Sequence, residues 1–254
     1  MIREKIVLKS KKELEIMREN GRVIAEIFEK VKAVIAPGIS TYDIDQIAEE
    51  YMLSKNGIPS FKGYEGYPAA TCISINEVVI HGIPEKNRLL QEGDIVGIDL
   101  GFFRQNLHVD SSFTYQIGKI DPLKEKLCAV TKESLKLGIA NARSGKTLFD
   151  ISNAIQTHVE QAGFSVVREF VGHGVGKKLH EPPQIPNYRK HGLSKIRLMP
   201  GMTLAIEPMV NTGTADIIVK DDGWTICTAD GKPSAHYEHT VAITETGPLI
   251  LTAL

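Results

Sequence analysis

The sequence has few cysteines, and their arrangement does not indicate a disulfide framework. Cys72, Cys128 and Cys227 are odd in number and scattered, and no C-x-x-C pair occurs. A disulfide framework needs an even, regularly spaced set, and a structural zinc site needs paired thiolates, so both are excluded. Unpaired thiols are typical of proteins in a reducing compartment, and we therefore expect a cytoplasmic protein.

Long apolar runs and an excess of charge are also missing. No stretch reaches the roughly 18 apolar residues of a membrane span, and the N-terminal Met1-Ile-Arg-Glu-Lys5 is charged. We therefore expect neither a signal peptide nor a membrane anchor. The 30 Lys and Arg residues balance 31 Asp and Glu residues. Nucleic-acid-binding proteins usually carry a basic excess, so no direct nucleic-acid site is expected.

The chain alternates between helical and extended patterns. Helical spacing of apolar residues, capping residues and Pro or Gly stops predict helices over 11–35, 40–56, 121–141 and 147–161. Extended patterns predict strands over 72–79, 94–100 and 107–116, the last two as an antiparallel pair. After Gly163 the chain is mostly extended and turn-rich. This mixture predicts an α+β fold.

The sequence contains an internal repeat. Gly38-Ile-Ser-Thr-Tyr-Asp-Ile44 is matched by Gly145-Lys-Thr-Leu-Phe-Asp-Ile151. At almost the same spacing the segment 93–99 is matched by 201–207, and at a somewhat longer spacing 108–112 is matched by 236–240. Loose matches of this length occur by chance, but three in the same order favour duplication. We predict two pseudo-symmetric halves, about 1–118 and 119–254, forming a single domain around a shared cleft.

The repeat pairs acidic residues with one another. Asp99 corresponds to Glu207, and Asp110 to Glu238, all in segments that read as strands. A single acid of this kind is usually a salt-bridged or surface residue. Buried carboxylates converging from two halves instead need cations. Folding the chain back at Arg104-Gln105 places Asp99 opposite Asp110, roughly 5 Å apart. The four carboxylates together would form a box that could hold two metal ions roughly 3.5–4 Å apart.

Histidines complete the predicted site. His173 lies between glycines, His180 precedes Glu-Pro-Pro, and His81 lies in a Gly- and Pro-rich turn. A lone histidine is more often structural than a ligand, and we interpret His158 and His191 in that way. A mostly oxygen ligand set with one imidazole suits Mn, Fe, Co or Zn. The glycines at 172, 174 and 176 lack the spacing and the helix of a nucleotide-binding loop.

Nearly the whole chain resembles the type I methionine aminopeptidases. The most specific segments are 63–68, 72–84, 172–176, 205–208, 222–224 and 237–240. The resemblance implies a pita-bread fold, with a central antiparallel sheet and helices packed on it. It implies metal ligation by Asp99, Asp110, His173, Glu207 and Glu238.

The resemblance also implies substrate contacts. His81 and His180 would lie beside the metals, and the methionine pocket would comprise Phe61, Tyr64, Tyr67, Cys72, Leu179 and Trp224. Aromatic rings and a polarisable sulfur independently suit a thioether, although core packing would explain the aromatics equally well. Relatives often carry cysteine in place of Phe61, phenylalanine in place of Leu179 and threonine in place of Gly101. These departures concern the shape of the pocket, not the chemistry.

The activity implied is removal of the initiator methionine from nascent proteins when the second residue is small. A hydroxide bridging two divalent metals, Co, Mn, Fe(II) or Zn, would attack the first peptide bond. Glu207 would accept its proton, His180 would stabilise the oxyanion, and His81 would position the scissile amide or aid departure of the leaving amine. We expect a monomer that meets its substrates at the ribosome.

Two alternatives remain open. Related pita-bread enzymes that cleave beside proline, such as prolidase, usually carry an extra N-terminal domain, for which the short lead before the first helix leaves no room. A non-enzymatic binding protein that kept the fold is the other, and the intact ligand positions argue against it. A peptide panel comparing Met-Gly with Xaa-Pro substrates would separate these possibilities.

Overall fold

The structure is a computed structural model that describes residues 5–253, and it confirms the predicted α+β class. The helices are α1 (Lys11–Val34), α2 (Thr41–Ser54), α3 (Pro122–Asn141) and α4 (Leu148–Gln161). The strands are β1 (Ile58–Pro59), β2 (Thr71–Ile75), β3 (Val78–Ile80), β4 (Ile95–Arg104), β5 (Leu107–Gln116), β6 (Ser165–Val166), β7 (Gly172–Gly174), β8 (Glu181–Ile185), β9 (Thr203–Ile206), β10 (Met209–Asn211), β11 (Ile217–Val219), β12 (Ile226–Thr228), β13 (Ser234–His236), β14 (His239–Ile243) and β15 (Pro248–Ile250).

The helices begin where the sequence places capping residues. The Ser40 hydroxyl accepts from the backbone N–H of Asp43 at 3.0 Å. Asp121 caps α3, with Pro122 at its first position, and Thr147 with Asp150 forms a capping box on α4. Side chains of this kind satisfy N–H groups that have no partner within the helix. All four predicted helices are therefore confirmed to within two residues.

The strands pair in two equivalent patterns, one in each half. In the first half, β4 pairs with β1, β2 and β5. In the second half, β9 pairs with β7 and β14, and β10 continues β9 and pairs with β6. The pair Ile58–Phe103 corresponds to the pair Ser165–Asn211, at the same spacing that relates the first two sequence motifs to their matches. This strand pairing therefore recurs at the spacing of the sequence motifs.

The two halves meet along the last matched motif. The backbone N–H of Glu238 donates to the carbonyl of Ser112 at 2.9 Å, and the N–H of Ser112 donates back at 3.3 Å. Thr240 joins the same seam, because its hydroxyl donates to the carbonyl of Asp110 at 2.8 Å. This pairing brings Asp110 and Glu238 to the same boundary between the two halves, although they are far apart in the sequence.

Each half has its own apolar core. Helix α1 packs on β4 and β5, and α2 packs on α1, β1 and β2, around a core that includes Met17, Ile24 and Phe102. Helix α3 packs against β9, β10 and β13, and α4 packs against α3 and β6, around a core that includes Ile155 and Leu204. The site residues lie between the cores. Within residues 5–253, no helix is long and apolar enough to span a membrane.

Two details of the strand prediction are wrong. The segment 72–79 is not one strand, because Asn76, with φ of 54°, forms a turn between β2 and β3. The β4–β5 hairpin turns at Gln105 and Asn106, both at positive φ, and not at Arg104-Gln105. This is the turn geometry that suits the twist of a hairpin.

The register consequently differs from the predicted one. Asp99 lies opposite Ser112, and Asp110 lies opposite Gly101. Because side chains alternate between the faces of a strand, Asp99 and Asp110 still share a face as diagonal neighbours.

Candidate metal centre and the cavity around it

Four acidic side chains converge from both halves. Asp99 lies on β4 and Asp110 on β5, as predicted. Glu207 directly follows β9, and Glu238 directly precedes β14, so these two lie at strand ends and not within strands. Asp110 and Glu238 are only 4% and 2% exposed. The acids are therefore carried by regular structure that leaves their carboxylates little freedom.

His173 contributes a nitrogen with a free lone pair. It lies on β7, and Nδ1 is 2.9 Å from the carbonyl oxygen of Gly174. A carbonyl only accepts hydrogen bonds, so Nδ1 carries the proton and Nε2 does not. Nε2 lies 3.5 Å from Oε1 of Glu207 and 3.9 Å from Oδ2 of Asp110. An unprotonated nitrogen facing carboxylates is the arrangement of a metal-ligating histidine.

Burial and repulsion together disfavour four negative charges here. Burial raises the pKa of Asp99 to about 7. Burial, and then repulsion from neighbouring acids, raises the pKa of Asp110, Glu207 and Glu238 well above their ordinary values. Burial lowers the pKa of His173 to about 3, so protonated histidine does not neutralise the acids at pH 7. Such a group of acids is suited to bind a cation.

The donor set fits divalent metal ions. Oδ1 of Asp99, Oδ1 of Asp110 and Oε1 of Glu238 are buried without any hydrogen-bond partner. Asp110, His173 and Glu238 each offer a ligand atom, and these atoms lie within 4.8 Å of one another. Buried, unpartnered carboxylate oxygens are costly unless a cation binds them. Oxygen ligands with one imidazole suit Mn, Fe, Co or Zn.

The structure brings all the predicted site residues to one cavity of about 530 Å³. The acids and His173 lie on one side, and aromatic and apolar groups lie on the other. The predicted residues that line it are Phe61, Tyr64, Tyr67, Cys72, His81, Asp99, Asp110, His173, Leu179, His180, Glu207, Trp224 and Glu238. His158 and His191, interpreted as structural, do not line it.

The apolar wall of this cavity is a separate small cluster. Phe61, Tyr67, Cys72 and Leu179 are buried in it, with Tyr64 and Trp224 packed against them. The Tyr67 hydroxyl donates to the carbonyls of Thr71 and Gly82, both at 3.0 Å. The wall is therefore fixed to β2 and to the turn that carries His81.

Phe61 occupies the space beside a glycine. A Cβ added to Gly101 would lie 2.7 Å from Cε1 of Phe61 and 2.7 Å from Cβ of Ser60. Such distances are far below van der Waals contact, so the large ring and the missing side chain fit each other. Two of the departures noted above, at 61 and at 101, are thus coupled in space.

His81 and His180 both line the cavity. His81 has a φ of 58°, and its ring packs edge-on against Phe170 at 5.6 Å. Burial lowers the pKa of His81 to about 4 and also lowers the pKa of His180, so both are neutral at pH 7. Nδ1 of His180 lies 2.8 Å from the Tyr64 hydroxyl. Each ring is therefore held by an aromatic neighbour.

Several residues of this region were not predicted, and three of them are Phe170, Glu181 and His236. Phe170 and Glu181 line the cavity. His236 is 4% exposed, and its Nε2 has no hydrogen-bond partner and lies 3.9 Å from Oε2 of Glu207. Only His236 had a signal in the sequence, because it opens the second copy of the last repeat motif. The direction in which the His236 side chain points depends on the position of β13, which the motif does not reveal.

Comparison with known proteins identifies the family. Metallopeptidase family M24 matches residues 15–245. The chain is 52% identical over 247 residues to methionine aminopeptidase 1 of Bacillus subtilis (strain 168), covering 97% of this chain and 99% of that protein. The chain belongs to metallopeptidase family M24, among the methionine aminopeptidases. It is thus a hydrolase of the metallo-aminopeptidase class, as predicted.

Solved structures support the same assignment. Methionine aminopeptidase from Thermotoga maritima superposes with a TM-score of 0.96 and 45% identity, covering 98% of this chain and 100% of that chain. Prolidase from Pyrococcus furiosus superposes with a TM-score of 0.78 and 22% identity, covering 98% of this chain and 66% of that chain. The second likeness shows the fold alone. The predicted pita-bread fold of this family is confirmed.

Proposed function

We propose that this protein removes N-terminal methionine from polypeptides with the help of two divalent metal ions. The observation that carries the proposal is the placement of the acid cluster against an aromatic and thiol-lined pocket in one cavity. Hydrolysis then takes place next to the side chain that the pocket selects. The name of the Bacillus subtilis relative supports the same activity.

Asp99, Asp110, His173, Glu207 and Glu238 would hold the metals. Supporting this are the unpartnered buried oxygens and the free Nε2 of His173. The ions, of Mn, Fe(II), Co or Zn, would acidify a water molecule and polarise the peptide carbonyl when bound. The side chain of Glu207 is 12% exposed, against 6% for that of Asp110. It is the candidate for passing the proton of that water to the leaving amine.

The apolar wall would bind the methionine side chain. A thioether is flexible and polarisable, and it makes favourable contacts with aromatic rings. Tyr67 and Trp224 meet edge-on at 5.2 Å, and Cys72 lies opposite Asp99 on the neighbouring strand. The pocket thus ends beside the acids. An α-amino group at that position would lie beside the proposed metal ions and could ligate one of them, which favours cleavage at the N-terminus.

His180 and His81 would act on the reacting amide. With its proton on Nε2, His180 would donate a hydrogen bond to the developing oxyanion. His81 would orient the scissile N–H or assist departure of the amine. Both remain neutral at pH 7 because burial lowers their pKa values. A neutral ring can donate at one nitrogen and accept at the other.

The finer biological role rests on the family resemblance. A preference for small second residues, nascent chains at the ribosome as substrates, a monomeric state and a cytoplasmic location belong to this proposal. Three buried cysteines without a disulfide are in keeping with a reducing compartment.

The test is peptide hydrolysis by metal-stripped protein. Release of methionine from Met-Gly-Met would be measured before and after addition of Mn, Fe(II), Co or Zn, with Xaa-Pro peptides alongside. We expect metal-dependent release of methionine from Met-Gly-Met and no cleavage of the Xaa-Pro peptides. The Asp110→Ala variant should release no methionine. Cleavage of Xaa-Pro peptides in its place would point to a prolidase-like activity. Tight peptide binding without hydrolysis at any metal would identify a non-catalytic binding protein.

A further inference from the structure

A buried ion pair joins the segment before α1 to the cavity wall. Nζ of Lys9 donates to Oε2 of Glu181, and the two side chains are only 2% and 5% exposed. Lys9 is itself tied down, because its backbone N–H donates to the carbonyl of Gly201 at 2.7 Å. Nζ also lies 3.3 Å from the carbonyl of Val7. The ammonium group is therefore fixed from several sides.

Glu181 passes this constraint to residues 175–180, the His180 loop between β7 and β8. Its second oxygen, Oε1, accepts from the backbone N–H of Lys178 at 3.1 Å. Glu181 opens β8 opposite Gly174, the residue after His173. The carboxylate thus holds the loop internally while the ion pair holds it to the rest of the molecule.

The side chain of Lys9 also fills the space over the loop. A Cβ added to Gly176 would lie 2.2 Å from Cε of Lys9 and 2.9 Å from Oε1 of Glu181. The backbone of Gly176 therefore rests directly against the lysine stem. Movement of the loop toward α1 is blocked, and movement away would separate a buried charge pair.

Stability alone does not account for this pair. A buried ion pair is often no more stabilising than apolar side chains of the same volume, because both charges lose their hydration. Its distinctive property is directional, since the carboxylate must remain where both partners reach it. His180 directly precedes Glu181 in the chain, so the position of its ring depends on this anchor.

We propose that Lys9 is a positioning residue for His180, acting through Glu181 and the His180 loop. The inference rests on the function proposed above for His180, and it adds a residue from outside the cavity to that machinery. Lys9→Met keeps the apolar stem but removes the charge. Because a shift of about 1 Å in a reacting group can lower the rate about 100-fold, we expect kcat to fall roughly 10- to 100-fold.

The control is an ion pair on the same loop that is open to solvent. Nζ of Lys177 lies 3.8 Å from Oε1 of Glu13, with side chains 67% and 29% exposed. Exposed pairs contribute little, so Lys177→Met should leave kcat within about twofold of the unsubstituted protein. In Lys9→Met, KM for Met-Gly-Met and the bound metal per chain should remain unchanged.

A readout independent of activity is hydrogen exchange of the metal-free protein. The amides of residues 175–180 should exchange roughly tenfold faster in Lys9→Met and at the normal rate in Lys177→Met. If Lys9→Met does not fold, the double variant Lys9→Met/Glu181→Gln leaves no unpaired charge. It should fold and retain the low kcat and the fast loop exchange.

A merely structural role would give a different result. Normal kcat and normal loop exchange in a Lys9 variant of lowered melting temperature would overturn the proposal, as would full recovery in the double variant. Failure of the proposed function would look different, because the unsubstituted protein would then release no methionine with any metal. Full activity of His180→Ala would remove the role of His180 while leaving the loop-exchange effect in place.

Discussion

The Tyr64 hydroxyl lies 2.8 Å from Nδ1 of His180. Burial raises the pKa of Tyr64, so the hydroxyl keeps its proton at neutral pH. Burial lowers the pKa of His180, so its ring is neutral and only one nitrogen carries a proton. If the Tyr64 hydroxyl donates to Nδ1, the one ring proton of His180 resides on Nε2. This tautomer is the form needed to donate to an oxyanion.

We expect Tyr64→Phe to lower kcat about tenfold, the lower end of the range for residues that orient a catalytic ligand or base. KM should change little, because the ring that lines the pocket remains. Tyr67→Phe is the matched control, since its hydroxyl bonds only to backbone carbonyls. It should lose about 1–3 kcal/mol of stability without a selective loss of kcat. An equal fall of kcat in both variants would contradict this role for Tyr64.

Removal of one acid should empty the metal centre. Even outer partners of metal ligands are worth about 10- to 100-fold in affinity, so Asp110→Asn should weaken metal binding by at least about 100-fold. Bound metal would be measured by elemental analysis after dialysis. Asp94→Asn is the control, because Asp94 is also a buried acid but does not line the cavity. Normal metal content in Asp110→Asn would remove Asp110 from the ligand set.

Metal binding should release protons near neutral pH. Burial raises the pKa of Asp99 to about 7, and burial with repulsion raises the pKa of Asp110, Glu207 and Glu238 well above their ordinary values, so the metal-free cluster retains protons at a higher pH than free carboxylates do. His173, with a pKa lowered to about 3, is neutral and has no proton on Nε2 to lose. Affinity should therefore rise with pH through about 7 and fall as pH drops. Titration calorimetry in two buffers of different ionisation enthalpy measures the release, and identical heats would refute it.

The pairing of Phe61 with Gly101 predicts a compensating double variant. Gly101→Thr alone forces a side chain into the ring of Phe61 and should cost about 1–3 kcal/mol. Phe61→Cys alone leaves a cavity and should cost about 3–5 kcal/mol. The double variant should be more stable than the sum of the two losses implies, by about 1–3 kcal/mol. Denaturant unfolding measures this coupling, and strict additivity would show that the two positions are independent.

Much of the fold could be predicted because its signals are local. Ser40, Asp121 and Thr147 cap helices through contacts within three residues, and apolar periodicity marks the faces they bury. The acid set was predictable for a different reason. The repeat relates Asp99 to Glu207 and Asp110 to Glu238, so the symmetry itself predicts convergence without any knowledge of the path between them.

What could not be predicted depends on register and on distant contacts. The hairpin turn uses Gln105 and Asn106 at positive φ, without the glycine that usually marks such a turn. Because the turn was predicted one residue too early, Asp99 was predicted to pair with Asp110, whereas it pairs with Ser112. The Lys9–Glu181 pair joins positions 172 residues apart. Neither residue type nor spacing indicates that contact before the chain is folded.

The division of the acids between two halves also bears on how this kind of molecule arose. Asp99 and Asp110 come from one copy of the repeat, and Glu207 and Glu238 from the other. A shorter ancestor pairing with itself about a two-fold axis would already have gathered four carboxylates on that axis. In such a history, fusion into one chain would release each copy from the symmetry. His173 and the loop that follows it could then arise in one half alone, and an initially symmetric metal-binding site would become asymmetric.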